Sequence, residues 1–536
     1  MRQQQNGIEI LKQICDTKRK KIQEKGMSLG YTLPKERALP LIKPALLNDK
    51  TKPFIIAEVK RKSPTRGYIS TIAEPKTLAK TYIEQGANAI SVLCEEDYFK
   101  GSLQDLYVIK ESFPQACILR KDFILHKDEV MVSYLFGSDI VLLIVALFVD
   151  DMKSFCEIYN ELLLYNLTPF IEIHTLHEWN LIKTLNLEKA IIGINTRNLK
   201  TFQINKMDAM KLRVQIPKHI PVIFESGIKS NYDSFMAGSS GFQGILCGSF
   251  LVEALDKDSN NLANVSEKNV LRNLIKAFNI GSKKQVFSNL LQRFYTKNQN
   301  THNNKPLIKI CGINNLDFLQ ESLLRADMLG FILTKKSVRY VDKAFLQEAT
   351  RCYKSYISCR QQDFIPLRVG VVTHDCLDIG REYLECGFID CLQLHYMPIS
   401  FCLESPIFTY HTESGYGYSI EAFYNLLDER ILPFYPAINY KELLNVNEPL
   451  QTHFCLWDSS GGSGENLDIA KIQAFIANYD MLQGNLWLAG GISIDNLHTI
   501  LTLKPMLLDI CSGFESSRGE KSISIMRDFF TRLDTL

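Results

Sequence analysis

A chain of 536 residues is too long for one ordinary domain and suits two or three. Apolar residues at 46% and charged residues at 22% supply large cores, which excludes a disordered polymer. A formal net charge of +2 leaves no overall electrostatic footprint for nucleic acid or an anionic membrane.

The first residues, MRQQQNGIEILKQICD, lack the apolar run of a secretory leader. The stretch 10–26, ILKQICDTKRKKIQEKG, predicts an amphipathic, cationic helix, read as an outer helix covering the bottom of a barrel. From Phe54 a unit repeats: a short β-rich run ends in polar or Gly-rich residues, then an amphipathic stretch succeeds it. The runs are FIIAEVK, AISVLC, ACILRKD, IVLLIVA, PFIEIH, AIIGINT, PVIFESG and GILCGS. Eight βα units in about 250 residues is the size of one TIM barrel, and no G-x-G-x-x-G succeeds the first run. The longest aliphatic run, Ile140 to Val149, is far shorter than the roughly 20 residues of a membrane helix and predicts a buried strand running into a loop.

After Phe278 the periodicity weakens, and Thr296 to Lys305, TKNQNTHNNK, has no aliphatic residue. We therefore expect a first barrel with an N-terminal helical extension over 1–280, a linker over 281–304 and a second barrel over 305–536. The second half offers LIKICG, MLGFILT, LRVGVVT, DCLQLH, PIFTYH, LPFYPAI, HFCLWDS, LWLAGG and MLLDICS, one more run than a barrel needs. The fold class is thus α/β, two tandem (β/α)8 barrels. The fourteen cysteines include no C-x-x-C and many lie in apolar runs, which points to reduced thiols in the cytoplasm. His174 and His177 have no cysteines nearby, so no metal site is expected.

The halves resemble each other. An ungapped superposition of Ser226-Gly227-Ile228 on Gly490-Gly491-Ile492 also carries Cys247-Gly248-Ser249-Phe250 onto Cys511-Ser512-Gly513-Phe514. Small-residue turns after strands seven and eight are where TIM barrels hold phosphate on backbone N–H groups. Gly227, Gly248 and Ser249 in one half, and Gly490, Gly491, Ser512 and Gly513 in the other, are the candidates. At other strand ends of the first half stand Glu58 and Lys60, Lys121 with Asp122, Glu172, Asn195 with Arg197, and Glu225 with Ser226. Charges gathered at a barrel mouth are costly without partners or a use.

Together, IAEVKRKSPTRG, ISVLCEEDYFKGS, LRKDFI, FIEIH, GINTRNL, FESGI and LCGSFL resemble indole-3-glycerol-phosphate synthase over residues 8–256. The resemblance implies cyclisation of an anthranilate-substituted deoxyribulose phosphate with loss of CO2 and water. It implies Lys121 as general acid, Glu172 as its proton-transfer partner, and Glu58, Lys60 and Asn195 as electrostatic and orienting groups. Ser63, Gly227, Gly248 and Ser249 would hold phosphate, and Arg197, Glu225 and Ser226 would line the substrate. A lysine among other cations and apolar walls is expected to have a lowered pKa.

The second half, through KICGI, LGFILTKKSVRYV, RVGVV, DCLQLH, LWDSSGGSG, LAGGI and DICSGFESSRGEK, resembles phosphoribosylanthranilate isomerase over residues 305–536. That implies an Amadori rearrangement with Cys311 as general base, Asp458 at the end of the sixth strand as general acid and Arg339 on the anthranilate carboxylate. Gln393 and His395 would line the pocket. PIFTYH would be strand five. Tyr396-Met397-Pro398 stands where the family usually has Gly-Asp-Glu, and Val338 and Arg518 replace usual prolines. An active synthase with a silent second barrel is therefore the competing reading. The resemblance implies small phosphorylated anthranilate derivatives as substrates, no cofactor, and a chain that works as a monomer.

Overall fold

The computed structural model describes residues 2–63, 67–68, 74–198, 203–256, 269–299, 305–359, 364–395, 432–445, 454–459, 467–479 and 482–536. The chain divides into two compact units, Met1–Gln285 and Val286–Leu536. Each contains a closed eight-stranded parallel barrel, as the sequence predicts.

The first barrel is built from β1 (Phe54–Val59), β2 (Ala89–Leu93), β3 (Ile118–Lys121), β4 (Ile140–Ile144), β5 (Thr168–Ile173), β6 (Ile191–Asn195), β7 (Val222–Glu225) and β8 (Gly244–Cys247). All eight runs foreseen became strands. Alternate side chains point inward, so Phe54, Ile56, Leu119, Ile140, Leu142, Phe170, Ile191, Ile223 and Leu246 fill the interior as one apolar cluster. Burying each such side chain stabilises by roughly 1.5–3 kcal/mol. The same alternation then delivers polar residues to the C-terminal mouth: Glu58 above Ile56, Lys121 above Leu119, Glu172 above Phe170, Asn195 and Glu225. Closure is made by β1 pairing with β8, Phe54 opposite Gly244.

The N-terminal segment corrects one expectation. Helix α1 (Arg2–Lys25) does not cover the barrel bottom. Lys18 reaches Asp122 at 2.9 Å and Glu129 at 2.8 Å and donates to the Phe123 carbonyl. Lys21 meets Glu96 at 3.0 Å and Asp97 at 2.7 Å. These partners come just after β2 and β3, so α1 docks at the mouth. The floor is covered instead by the residues after it: Arg37 bonds Asp139 just before β4, and Leu46 enters the apolar cluster.

The second barrel comprises β9 (Leu307–Ile310), β10 (Met328–Ile332), β11 (Leu367–Val372), β12 (Cys391–His395), β13 (Phe434–Asn439), β14 (Leu456–Asp458), β15 (Trp487–Ala489) and β16 (Leu507–Ile510). Strand five is therefore the LPFYPAI run rather than PIFTYH, which lies outside the described residues, as does Tyr396-Met397-Pro398. The barrel seats FYPAIN between β12 and β14, with Tyr435 opposite Gln393.

The expected linker 281–304 is helical as far as Asn298. Helix α2 (Val270–Lys284) ends at Gln285, whose left-handed backbone (φ +45°) stops it, and α3 (Val286–Asn298) comes next. Val286, Phe287, Leu290, Leu291 and Phe294 form one buried stripe of α3. Phe287 stacks on Phe454 at 4.5 Å, and Arg293 and Lys297 both pair with buried Asp327. Helix α3 is thus part of the second unit.

Candidate active sites

In the first barrel the strand ends bring six of the foreseen polar groups into one cluster. Lys121 stands 3.1 Å from Glu172 and 2.5 Å from Glu225. Asn195 donates to Glu172 at 3.1 Å, and Lys60 lies 3.3 Å from Glu58. Arg197 N–H caps the Asn195 side-chain oxygen at 3.0 Å, fixing that amide toward Glu172. Space for the cluster depends on Gly193: a Cβ there would lie 2.1 Å from Glu225 Oε1 and 2.4 Å from the Phe170 ring. Gly248 plays the same part for Glu58, 2.6 Å from where its Cβ would stand.

The electrostatics overturn the expectation of an acidified lysine. Burial pulls the Lys121 ammonium down, but Glu225, Glu172 and Glu58 more than offset this and hold its pKa above the ordinary lysine value. The surroundings of Lys121 are anionic, not cationic. The two carboxylates also differ. Burial raises Glu172, yet Lys121, His174 and Asn195 outweigh it and hold the group well below the usual carboxylate range. Burial wins at Glu225, whose pKa is pushed up to about 7 although Lys121 opposes the shift. The geometry explains the split: Glu172 has donors on both oxygens, whereas Glu225 Oε1 meets no hydrogen-bond partner among the described residues.

His174 is a site residue that sequence reasoning treated only as an unlikely metal ligand. It bridges Glu172 at 3.3 Å and Glu178 at 3.1 Å. Burial lowers its pKa, but these two carboxylates lift it to about 10, so it is a cation at neutral pH. Inward alternation two residues beyond Glu172 was the available signal.

The turns expected to hold phosphate share a backbone signature in both barrels. Ser226 and Gly227 after β7 have φ of +66° and +74°, and Gly490 and Gly491 after β15 have +102° and +57°. Two successive left-handed residues rotate the peptide N–H groups of the turn; Ser226 adopts this region at a cost that glycine avoids. After β8, Gly248 leads into a helix over Ser249–Asp256; after β16, Ser512 and Gly513 form a 3-10 turn. The Ser63 side chain lies outside the described residues, so its expected place at the phosphate has no structural account.

In the second barrel Cys311 directly follows β9, the first strand, and Asp458 ends β14, the sixth. His395 lies 3.8 Å from Asp458, and burial lowers its pKa. Gln393, expected at the substrate, belongs instead to a buried layer beneath: Lys309 pairs with Asp509 at 2.6 Å and donates to Gln393, which also accepts from Tyr435 at 3.0 Å. Arg339, expected to meet a substrate carboxylate, already holds Glu515 through Nε at 2.6 Å and Nη2 at 2.9 Å. Its Nη1 edge is uncommitted among the described residues. Burial opposes the charge of Glu515, but Arg339 and Lys521 hold its pKa down to about 2. Lys309, Asp509, Cys511, Glu515 and Lys521 were missed as site residues, although K-x-C and D-x-C at the ends of adjacent strands place two inward pairs side by side.

No helix among the described residues is long and apolar enough to cross a membrane. No group of three metal-ligating side chains stands together among the described residues.

Comparison with known proteins agrees with the two barrels in order. A family model described as indole-3-glycerol phosphate synthase matches residues 11–263, and one described as N-(5'phosphoribosyl)anthranilate (PRA) isomerase matches residues 420–532. The second match contains Asp458 and both glycine turns but stops short of Cys311 and Arg339. The chain is 27% identical over 521 residues to a multifunctional tryptophan biosynthesis protein of Schizosaccharomyces pombe, covering 91% of this chain and 60% of that protein. It is 26% identical to the protein so named in Phycomyces blakesleeanus, again covering 91% of this chain, and 63% of that protein. The chain thus spans about three-fifths of the length of these multifunctional relatives. It is 39% identical over 223 residues to an indole-3-glycerol phosphate synthase of Oceanobacillus iheyensis, covering 40% of this chain and 82% of that enzyme. Through its first barrel the chain belongs to the indole-3-glycerol phosphate synthase family, and part of its second barrel matches the PRA isomerase model.

Proposed function

We propose that the chain catalyses two successive reactions of tryptophan biosynthesis. The second barrel isomerises N-(5-phosphoribosyl)anthranilate to 1-(2-carboxyphenylamino)-1-deoxyribulose 5-phosphate. The first barrel cyclises that product to indole-3-glycerol phosphate, releasing CO2 and water. The observation that carries this reading is Lys121 held between Glu172 and Glu225 at the mouth of a barrel whose last two turns suit a phosphate.

In the cyclisation, the ring carbon bearing the carboxylate attacks the ketone carbon, and Lys121 gives a proton to the developing alkoxide. Loss of CO2 restores the aromatic ring. The hydroxyl then leaves as water after a second protonation, and Glu172 takes the proton released in forming the indole double bond. The raised pKa of Lys121 bears on this step. Protonating Glu225 removes one of the anions that hold the lysine proton, so Lys121 becomes a better acid when Glu225 is neutral. Lys60 and the Nη groups of Arg197 supply positive charge for the departing carboxylate.

In the isomerisation, Asp458 protonates the sugar ring oxygen, the nitrogen lone pair opens the ring to a protonated imine, and Cys311 removes the proton from the adjacent carbon to leave a neutral enamine. Arg339 offers its Nη1 edge to the anthranilate carboxylate, and Gly490, Gly491, Ser512 and Gly513 receive the phosphate. Each barrel draws its residues from its own strands, which favours a working monomer. The described cysteines are all free thiols, which favours a reducing cytoplasm. Separate assays of the two reactions on the purified chain test the whole reading; synthase turnover without isomerase turnover selects the silent second barrel. The Glu515 carboxylate already on Arg339 is the feature that favours that alternative.

A further inference from the structure

The mouth of the second barrel carries two thiols, not one. Strands β9 and β16 pair in register, Lys309 opposite Asp509 and Ile310 opposite Ile510, and Cys311 N–H donates to the Ile510 carbonyl at 2.9 Å. Side chains two apart share a face, so Cys311 and Cys511 stand one layer above the Lys309–Asp509 pair and next to each other. Facing each other across this register, the two thiols shift each other's titration. Each sulfur also has its own ammonium: Lys309 Nζ lies 3.6 Å from Cys311 Sγ, and Lys521 Nζ lies 3.7 Å from Cys511 Sγ. Lys521 is fixed there by the Cys511 carbonyl at 2.7 Å and by Glu515 at 3.0 Å. The space is reserved by glycines. A Cβ on Gly330 would come within 2.9 Å of Cys311 Sγ, and one on Gly312 within 2.9 Å of Cys511 Sγ.

We propose that Cys511 is the proton-holding partner of Cys311, the two sulfurs sharing one proton so that Cys311 can take a second from the sugar carbon. The inference rests on the isomerase reading of this barrel. Alone, a buried thiol is a poor base, because burial disfavours the thiolate. Paired, the two divide the work. The neighbouring Cys511, and then burial, keep Cys311 protonated at rest. The neighbouring Cys311 draws Cys511 down to about 7 against burial, with Lys521 and Arg339 assisting. When the sugar C–H bond breaks, its electron pair becomes the enamine double bond and its proton goes to Cys311 Sγ. The proton that Cys311 held passes to Cys511 beside it. The pair goes from one proton and one negative charge to two protons and none, so no other acceptor is required. Cys511 acts through Cys311 and is a positioning residue in this step.

The test uses the full chain as wild type, Cys511→Ala, Cys511→Ser and Cys311→Ala. Isomerase kcat and KM are measured against pH, alongside the ultraviolet absorbance of thiolate. Lys309, Asp509, Arg339 and Lys521 act on the pair, Glu515 holds Arg339 and Lys521, and burial pushes Asp509 itself up to about 7, so an Asp509→Asn control separates its titration from that of the thiols. Removing Cys511 is expected to lower kcat at neutral pH by roughly ten- to a hundredfold, the loss expected when a thiol titrating near neutrality is replaced by an ordinary or buried one. KM should hold, the acid limb should move upward, rate should return as pH rises, and the thiolate absorbing near neutrality should vanish. Cys511→Ser, close in volume, should show the same changes and carries the test if the alanine variant fails to fold. Wild-type kcat and acid limb in both Cys511 variants, with Cys311→Ala inactive, overturn the inference and leave the isomerase reading standing. Substantial turnover in Cys311→Ala, or none in wild type, overturns both.

Discussion

Glu225 and Glu172 grip the same ammonium, Lys121, at 2.5 and 3.1 Å, yet Glu225 is raised to about 7 by burial while Glu172 is held well below the usual carboxylate range. Glu172 also accepts from Asn195 and faces His174, while Glu225 Oε1 meets no partner among the described residues. Below neutrality the site therefore carries a proton on Glu225 and a negative charge on Glu172.

If this division serves cyclisation, Lys121→Ala and Glu172→Gln should each lower synthase kcat by roughly 10²–10⁴-fold, the usual contribution of a general acid or base. Isomerase turnover in the same preparations should be unchanged. Near-normal synthase turnover in Lys121→Ala would remove the assignment.

The raised pKa of Glu225 also has a stability consequence. The folded carboxyl keeps its proton up to about pH 7, whereas the unfolded one releases it in the ordinary carboxylate range. Between those values the folded state binds more protons, so stability falls as pH rises through the window. Glu225→Gln abolishes that loss. Its unfolding free energy should match wild type in mild acid and exceed it above neutrality, by an increment on the order of 1–3 kcal/mol. A constant difference across the window would show that Glu225 does not titrate there.

Lys18 anchors α1 to Asp122 and Glu129, both buried and both also held by Arg120. Lys18→Ala should destabilise the first barrel by roughly 1–3 kcal/mol, less than a fully broken buried pair because Arg120 remains. Since Asp122 comes directly after Lys121, synthase kcat should fall as well. Denaturant titration and steady-state kinetics on one preparation measure both.

Helix α3 changes where the chain divides. A fragment over 286–536 should fold with a cooperative transition. One over 305–536 loses Phe287 from Phe454 and both cations from buried Asp327, and should melt at a lower temperature or aggregate. Equal stability of the two fragments would make α3 dispensable.

For the isomerase, Cys311→Ser and Asp458→Asn should each nearly abolish turnover, with KM close to wild type because phosphate and carboxylate are held elsewhere. Retention of most activity by Cys311→Ser would make the thiol a packing residue.

The sequence made the strands legible because a buried parallel strand is a short aliphatic run ending abruptly in polar residues, as in ILRKD or FIEIH. It also made the inward faces legible: Lys121 lies two beyond Leu119, and Glu172 two beyond Phe170. Partners across the ring were not legible. Which carboxylate meets Lys121, and that Glu515 meets Arg339, depends on how strands far apart in sequence come round to one another. The sign of the Lys121 shift was misjudged for that reason, since three carboxylates converge on it from other strands. The helical stripe of Val286, Phe287, Leu290, Leu291 and Phe294 was present in the letters, but the polar stretch beyond it drew the boundary too late.

The seam between β1 and β8 has a consequence for the order in which the protein can form. Phe54 leaves the ribosome long before Gly244, and until then the growing sheet has two open edges able to pair with a neighbouring chain. When Gly244 arrives it must pass so close to Phe54 that a single methyl group would stand 1.8 Å from the Phe54 carbonyl oxygen. A side chain at this position would therefore oppose closure itself, in the nascent chain and in the finished enzyme alike. It would hold the barrel unlatched during the interval when the protein is most exposed to aggregation.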